Sequence, residues 1–216
     1  MTGAGARGVE LLKGCLNTRH GRTLSGQLTE SPQDETRERM KYTSREALDS
    51  DVPRIHELVN SAYRGESSKK GWTTEADILG GQRIDPEALR TILADSSKTI
   101  LCLIETPNKI IGTVCLERFE DERGVGVYLG MLTIEPTAQT AGLGKRLMQA
   151  CEEFAKRWGG RRITLGVINV RTELMEWYER RGFVKSGLIE PFPYGDARFG
   201  EPKRPDLNFV MFEKPI

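Results

Sequence analysis

Residues 126–158 run GVYLGMLTIEP, then TA, then QTAGLGKRLMQACEEFAKRW: an apolar stretch, a proline, a glycine-punctuated turn and an amphipathic stretch. The first part predicts a strand ended by Pro136, and the last predicts a helix from about Gly142 to Trp158, stopped by Gly159 and Gly160. A strand that feeds a helix through a short turn brings the unpaired first-turn N–H groups of the helix to one point. The positive end of the helix dipole lies at the same place, and together they make an anion site suited to phosphate. Gly142 and Gly144 lack the Cβ atoms that would hold a phosphate away from the backbone. They serve a tight left-handed turn and close packing equally well. Two nucleotide motifs fail here. Arg146 follows Gly144-Lys145 where GxxxxGK[ST] needs Ser or Thr, and no third glycine completes GxGxxG.

The flanking sequence predicts the company this unit keeps. KYTSREA alternates as a short strand from Lys41, and SDVPRIHELVNSAYRG reads as a helix with Ser50 or Asp51 as N-cap and Pro53 in its first turn. The polar segment SSKKGWTTEADILGGQRID predicts a loop with one short helix starting near Thr74. DPEALRTILADS then reads as a helix, and TILCLIE and KIIGTVCLERFE as two strands joined by TPN. After the central helix come a strand (RRITLGVI), a helix (TELMEWYERR), a strand (GFVKSGLI), a Pro/Gly-rich stretch, and a last strand (DLNFVMFEK). A meander followed by strand–helix–strand–helix–strand gives an α+β (mixed α/β) domain over 40–216. Residues 1–39 lack periodicity and read as a disordered or loosely structured extension. Arg7, Lys13, Arg19 and Arg22 also leave an organelle transit peptide open, and Met40 leaves open a start just before the first strand.

Composition excludes several classes of function. A formal charge of +1 gives no electrostatic basis for nucleic acid or an anionic membrane, and no apolar run is long enough to span one. Cys15, Cys102, Cys115 and Cys151 are widely spaced with no histidine nearby, which argues against zinc and a disulfide scaffold and fits a reducing, cytoplasmic setting. With His20 and His56 the only histidines, catalysis without imidazole and without a metal is expected.

Gln139-Thr140-Ala141-Gly142-Leu143-Gly144 resembles the pyrophosphate loop of the GNAT superfamily of acetyl-CoA-dependent N-acyltransferases: Arg or Gln, two residues, Gly, any residue, then Gly or Ala. WYERRGF (177–183) is similar to that family's helix-end signature, about 35 residues further on. The resemblance implies a central, mostly antiparallel splayed sheet flanked by helices, with acetyl-CoA as co-substrate. It assigns the pyrophosphate to the backbone of Gln139, Thr140, Ala141, Gly142, Leu143 and Gly144, with Lys145 just inside the helix. Lys145 and Arg146 either add charge there or are solvated helix residues. The backbone of Leu132, Thr133 and Ile134 would pair with pantetheine along a bulged strand, with an amide near Leu132 as oxyanion donor. Tyr178 matches the tyrosine that serves as general acid to the departing thiolate, its bland alternative being a core aromatic.

Two positions depart from the pattern. Arg171 stands where the family often has Asn, so Asn169 and Arg171 are both candidates for the cofactor site. Tyr128 stands where a glutamate base is common, leaving Glu117 or Glu66 as bases acting through water, or no dedicated base. The acceptor walls fall in 63–77 and 190–206. There Tyr63, Glu66, Trp72, Glu75, Phe192 and Tyr194, with Tyr128, supply aromatic surface and carboxylates that suit a cationic amine. The expected activity is transfer of acetyl from acetyl-CoA to a primary amine of a small molecule by direct attack. Its rivals are a catalytically silent acyl-CoA sensor and an acetyltransferase of protein N-termini or lysines. Homodimer formation is left open.

Overall fold

The computed structural model describes residues 41–139 and 141–216; the extension expected over 1–39, with His20 and Cys15, and loop residue Thr140 lie outside the described residues. In chain order the elements are β1 (Tyr42–Glu46), α1 (Val52–Tyr63), α2 (Gly65–Ser68), β2 (Leu79–Gly80), α3 (Pro86–Ala94), β3 (Lys98–Glu105), β4 (Lys109–Asp121) and β5 (Gly124–Ile134). They continue with α4 (Leu143–Arg157), β6 (Arg162–Ile168), α5 (Thr172–Glu179), β7 (Val184–Pro191), β8 (Glu201–Pro202) and β9 (Asn208–Pro215).

Seven strands form one sheet in the order β1-β3-β4-β5-β6-β9-β7. Every neighbouring pair is antiparallel except β5 and β6, which run parallel because α4 crosses between them. The TILCLI run of β3 is buried throughout because both sheet faces are covered. Leu101 and Leu103 face the core under α4 and α5, with Leu147, Cys151 and Phe154. Ile100, Cys102 and Ile104 face the opposite core, with Ile55, Leu58, Val59 and Leu89 of α1 and α3. Each fully buried Leu or Ile contributes about 1.5–3 kcal/mol, so both layers hold the sheet.

The local detail that matters most lies in β5. Thr113 pairs with Thr133 and Cys115 with Gly130, so Met131 and Leu132 together oppose Val114 in a bulge. Met131 adopts φ +50°, a left-handed conformation costing an L-residue roughly 1–2 kcal/mol. Burial of its side chain in the α1/α3 core offsets that cost. Pairing with β6 covers only Gly126 to Tyr128 against Arg162 to Thr164. Past the bulge the two strands separate, and the space between them is the floor of the site.

Two expectations require correction. The helix predicted near Thr74 is instead α2, earlier in the chain. Thr74 sits in a turn, its Oγ1 accepting from Ala76 N–H at 3.0 Å and bonding Ser68 Oγ at 2.5 Å. Two-residue strands β2 and β8 pair with each other, too short to leave any period in the sequence. At α1, Asp51 occupies the N-cap position without a side-chain cap bond. Its carboxylate is taken by Arg45 at 2.6 Å and Leu48 N–H at 2.8 Å. The cap at α3 is conventional, with Asp85 accepting from Ala88 N–H at 2.7 Å ahead of Pro86.

Candidate active site

The turn between β5 and α4 opens onto a cleft of ≈ 450 Å³. Gly142 is the residue before the helix, at φ +73°, and a Cβ there would meet nothing within 4 Å. Its backbone conformation thus requires glycine, and the space beside it is open. Gly144 has a different reason: a Cβ would lie 3.0 Å from the Trp177 ring, so this glycine lets α5 pack onto the start of α4. Lys145, Arg180 and Arg181 edge this end of the cleft and supply cations where first-turn amides converge. Arg181 stacks 3.5 Å over Trp177 and donates to the Trp177 carbonyl at 2.8 Å. These features fit a diphosphate at the helix mouth.

Leu132, Thr133, Ile134, Gln139, Lys145, Arg171 and Tyr178 line this same cleft with the two glycines. Ala141 is exposed at the turn, its N–H bonded to Ala138 O at 3.2 Å, while the Leu143 side chain is core. Arg146 turns toward β1, donating to Tyr42 O at 3.3 Å. The Gln139 side chain ties down the loop before Glu75: its Oε1 accepts from Trp72 N–H at 3.0 Å and its Nε2 donates to Ile134 O at 3.3 Å. Trp72, expected on the acceptor side, instead stacks on Trp177 with centroids 6.4 Å apart and roofs the cleft. Asn169 does not line the cleft. Its amide bridges to Asp206 O and Asn208 N–H, holding the start of β9.

At the inner end, Tyr178 is buried between Trp177 and Phe183, both edge-on at 5.0 and 5.4 Å. Burial pushes its phenol far above the ordinary value, so the hydroxyl keeps its proton at any physiological pH. Tyr63, raised for the same reason, donates to Leu132 O at 2.9 Å and braces the bulge.

Between the splayed strands lies a chamber of ≈ 110 Å³ that shares Tyr63, Leu132, Arg171 and Tyr178 with the cleft. It also shares Arg83, Tyr128, Met131 and Phe199 with an outer cavity of ≈ 370 Å³ on the other side of the sheet. The three spaces adjoin one another through shared wall residues, Tyr178 among those common to the first two. In the chamber wall Glu75 is buried and bridged by two buried arginines, Arg64 and Arg171, the latter at 2.8 Å. Burial alone would raise its carboxyl; Arg171, Arg64 and Arg83 together outweigh this and hold it below the ordinary range. Arg171 also donates to Thr73 Oγ1 at 2.6 Å. Where the family pattern often has Asn, this chain has the guanidinium that locks Glu75.

The carboxylates expected at the acceptor lie elsewhere or are already neutralised. Glu66 is exposed and pairs with Lys69, at 2.8 Å. Glu117 lines the outer cavity, 3.6 Å from Lys98, and does not reach the chamber. Tyr128 closes the last paired rung between β5 and β6, burial raising its phenol. Tyr194 is exposed and its hydroxyl holds the 204–207 turn, whereas Phe192 is buried in the chamber wall. Burial pushes the thiols of Cys102 and Cys115 up to about 12 and about 11, and Cys151 higher still, so none is poised as a thiolate. Among the described residues no group of His, Cys, Asp and Glu could hold a metal ion, and no helix is long and apolar enough to cross a membrane.

The family model described as the acetyltransferase (GNAT) family matches residues 52–183, from the start of α1 to the end of the Tyr178 signature. The chain belongs to the GNAT family. Among curated relatives, human N-acetyltransferase 8B is 28% identical over 129 residues, 56% of this chain and 53% of that protein. A mycothiol acetyltransferase of Gordonia bronchialis is 25% identical over 167 residues, 76% of this chain and 47% of that protein. The chain therefore spans about half the length of the curated relatives it matches. Among solved structures, a ribosomal-protein-alanine N-acetyltransferase from Brucella melitensis superposes with TM-score 0.60 at 17% identity, over 81% of this chain and 99% of that one. A spermidine N-acetyltransferase mutant from Vibrio cholerae gives 0.57 at 17%, over 82% and 94%. These GNAT structures share the fold, including the mostly antiparallel central sheet flanked by helices.

Sequence reasoning missed Arg64 and Arg83, which sit in polar segments without a motif. Arg180 and Arg181 were visible as the basic pair in the WYERRGF signature.

Proposed function

We propose that this GNAT chain transfers an acetyl group from acetyl-CoA to the amine of a small molecule by direct attack. The observation that carries the proposal is the row of adjoining spaces: a cleft with a phosphate-compatible helix mouth, a chamber that shares Tyr178 with it, and an outer cavity beside the chamber. Gly142, Lys145, Arg180 and Arg181 hold the diphosphate end of the cofactor, and the bulged strand at Leu132 to Ile134 guides its pantetheine arm. The amine nitrogen attacks the thioester carbonyl carbon with the Leu132 region supplying an oxyanion donor. The C–S bond breaks, the thiolate takes its proton from Tyr178, and the phenolate is reprotonated at once from water, which receives the proton that the amine gives up. Holding both reactants in the narrow chamber supplies much of the acceleration.

No dedicated base is needed in this scheme. Glu75 is held by two arginines and is a weak proton acceptor. The same arginines give the chamber an excess of positive charge, which disfavours an ammonium and favours the neutral amine. The amine proton leaves to water through the outer cavity. The test is thiol release from acetyl-CoA, followed with DTNB over a panel of amines, beside calorimetric titration with CoA. Binding without thiol release from any amine would leave only a sensor, and no binding would remove the proposal entirely.

A further inference from the structure

Four charged side chains line the chamber, and three are arginines: Arg64, Arg83 and Arg171, against the single carboxylate of Glu75. Arg64 and Arg171 are paired to Glu75, yet each keeps a buried Nε–H without a hydrogen-bond acceptor among the described residues. Arg83 has neither an ion-pair nor a hydrogen-bond partner for its guanidinium among the described residues. It lies over the Tyr63 ring, 5.6 Å from its centroid, and feels Glu75 only at longer range, without a direct contact. In the outer cavity the remaining charges are satisfied: Lys98 by Glu117 and Asp95, Arg198 by Asp196, and Asp85 by the Ala88 amide.

Arg83 is also held firmly. Its backbone N–H donates to Asn60 Oδ1 at 2.6 Å, and the Asn60 amide donates to Ile84 O at 2.9 Å, clamping the segment onto α1. Tyr63, under the guanidinium, is fixed in turn by its bond to Leu132 O on the bulge. A half-buried cation without a direct ion-pair partner is costly, and a guanidinium offers a planar fork that matches a carboxylate. Arg83 borders both the chamber and the outer cavity, so an anion on it sits beside the point where the amine must enter.

We infer that the acceptor is an amino carboxylate, an amine whose own acid group lies a few bonds from the nitrogen and is bound by Arg83. This rests on the acetyl-transfer reading and names its substrate class. Polyamines are excluded by the same charges, although a spermidine acetyltransferase shares the fold.

The experiment compares the proteinogenic amino acids, their carboxamides and spermidine as acceptors, using the full chain. At least one acid is expected to exceed its own carboxamide about tenfold to a hundredfold in kcat/KM, the range of a charge-assisted hydrogen-bond pair. Arg83→Gln should bring that ratio close to one, and Arg83→Lys should restore part of it. Thermal melts of both variants report that they fold. Carboxamides or spermidine matching the acids overturns the amino-carboxylate acceptor while acetyl transfer stands. If no amine releases thiol, acetyl transfer falls, and binding without turnover still decides the role of Arg83. N-acetylated amino acids should then raise the melting temperature of the wild type more than their amides do, but not that of Arg83→Gln; equal shifts overturn it.

Discussion

The helix mouth and the arginine chamber lie in adjoining spaces and are built in opposite ways. At the mouth, the turn conformation, the amides of α4 and its dipole do the work, and side chains only edge it. The chamber depends on side chains: Arg64, Glu75 and Arg171, buried against one another, with half-buried Arg83 beside them over the Tyr63 ring. The mouth can therefore lose a surface cation and keep its shape. The chamber cannot lose Glu75 without leaving two buried guanidinium groups unpaired. Under the proposed acetyl transfer, the cofactor shared across the family is read by backbone and the acceptor particular to this chain by side chains.

The sharpest way to test the division is at the junction. Tyr178→Phe should lower kcat by about 10²- to 10⁴-fold, the usual worth of a general acid, with CoA affinity in calorimetry essentially unchanged. A comparable loss of affinity would make Tyr178 part of the mouth instead. Removing the chamber's anion comes next. Glu75→Gln leaves two buried guanidinium groups facing a neutral amide and should cost about 3–5 kcal/mol in denaturant unfolding at neutral pH. Because the carboxyl of Glu75 is depressed in the folded state, its contribution is full above the ordinary value of 4.5 and is lost as pH falls through the lower folded value. The gap between wild type and Glu75→Gln should therefore close in acid. A gap that stays constant with pH would mean the pair is not ionised as described.

Smaller effects belong to the mouth. Gly142→Ala forces a Cβ into φ +73° and should cost about 1–2 kcal/mol of stability in the same unfolding assay, with weaker CoA binding. Lys145→Ala should weaken CoA by only a few-fold, about 0.3–1 kcal/mol, and the loss should shrink as salt rises. If Lys145 proved as costly as Glu75, the contrast between backbone-built and side-chain-built ends would collapse.

The mouth and the chamber also differ in how much of them could be read from the sequence. Pro136, Gly142, Gly144 and the glycine stop at 159–160 are local signals, and they located β5, α4 and the turn within a residue or two. WYERRGF carried Tyr178 into the site for the same reason. For Gly144 the sequence left phosphate access and close packing both open, and Trp177 from α5 fills its Cβ space, a contact made only after folding. Glu75, Arg64 and Arg83 sit in polar segments whose composition reads as solvated loop. Nothing in their spacing announces that tertiary packing buries Glu75 with Arg64 and stacks Arg83 on Tyr63. Arg171 was visible as a departure from the family pattern, but its partner was not. The short pairing of β2 with β8 was invisible too, since two residues define no period.

The strap from Lys69 to Glu75 links both ends. Gln139 grips it at Trp72, Trp72 covers the cleft at the helix mouth, and a few residues on, the same strap delivers Glu75 to the chamber. Anyone grafting a foreign loop here to retune acceptor choice will also rebuild the ceiling of the cleft in which the proposal seats the cofactor. Loop exchange between distant cousins should thus fail more often at cofactor capture than at selectivity, and designers would do better to change single arginines.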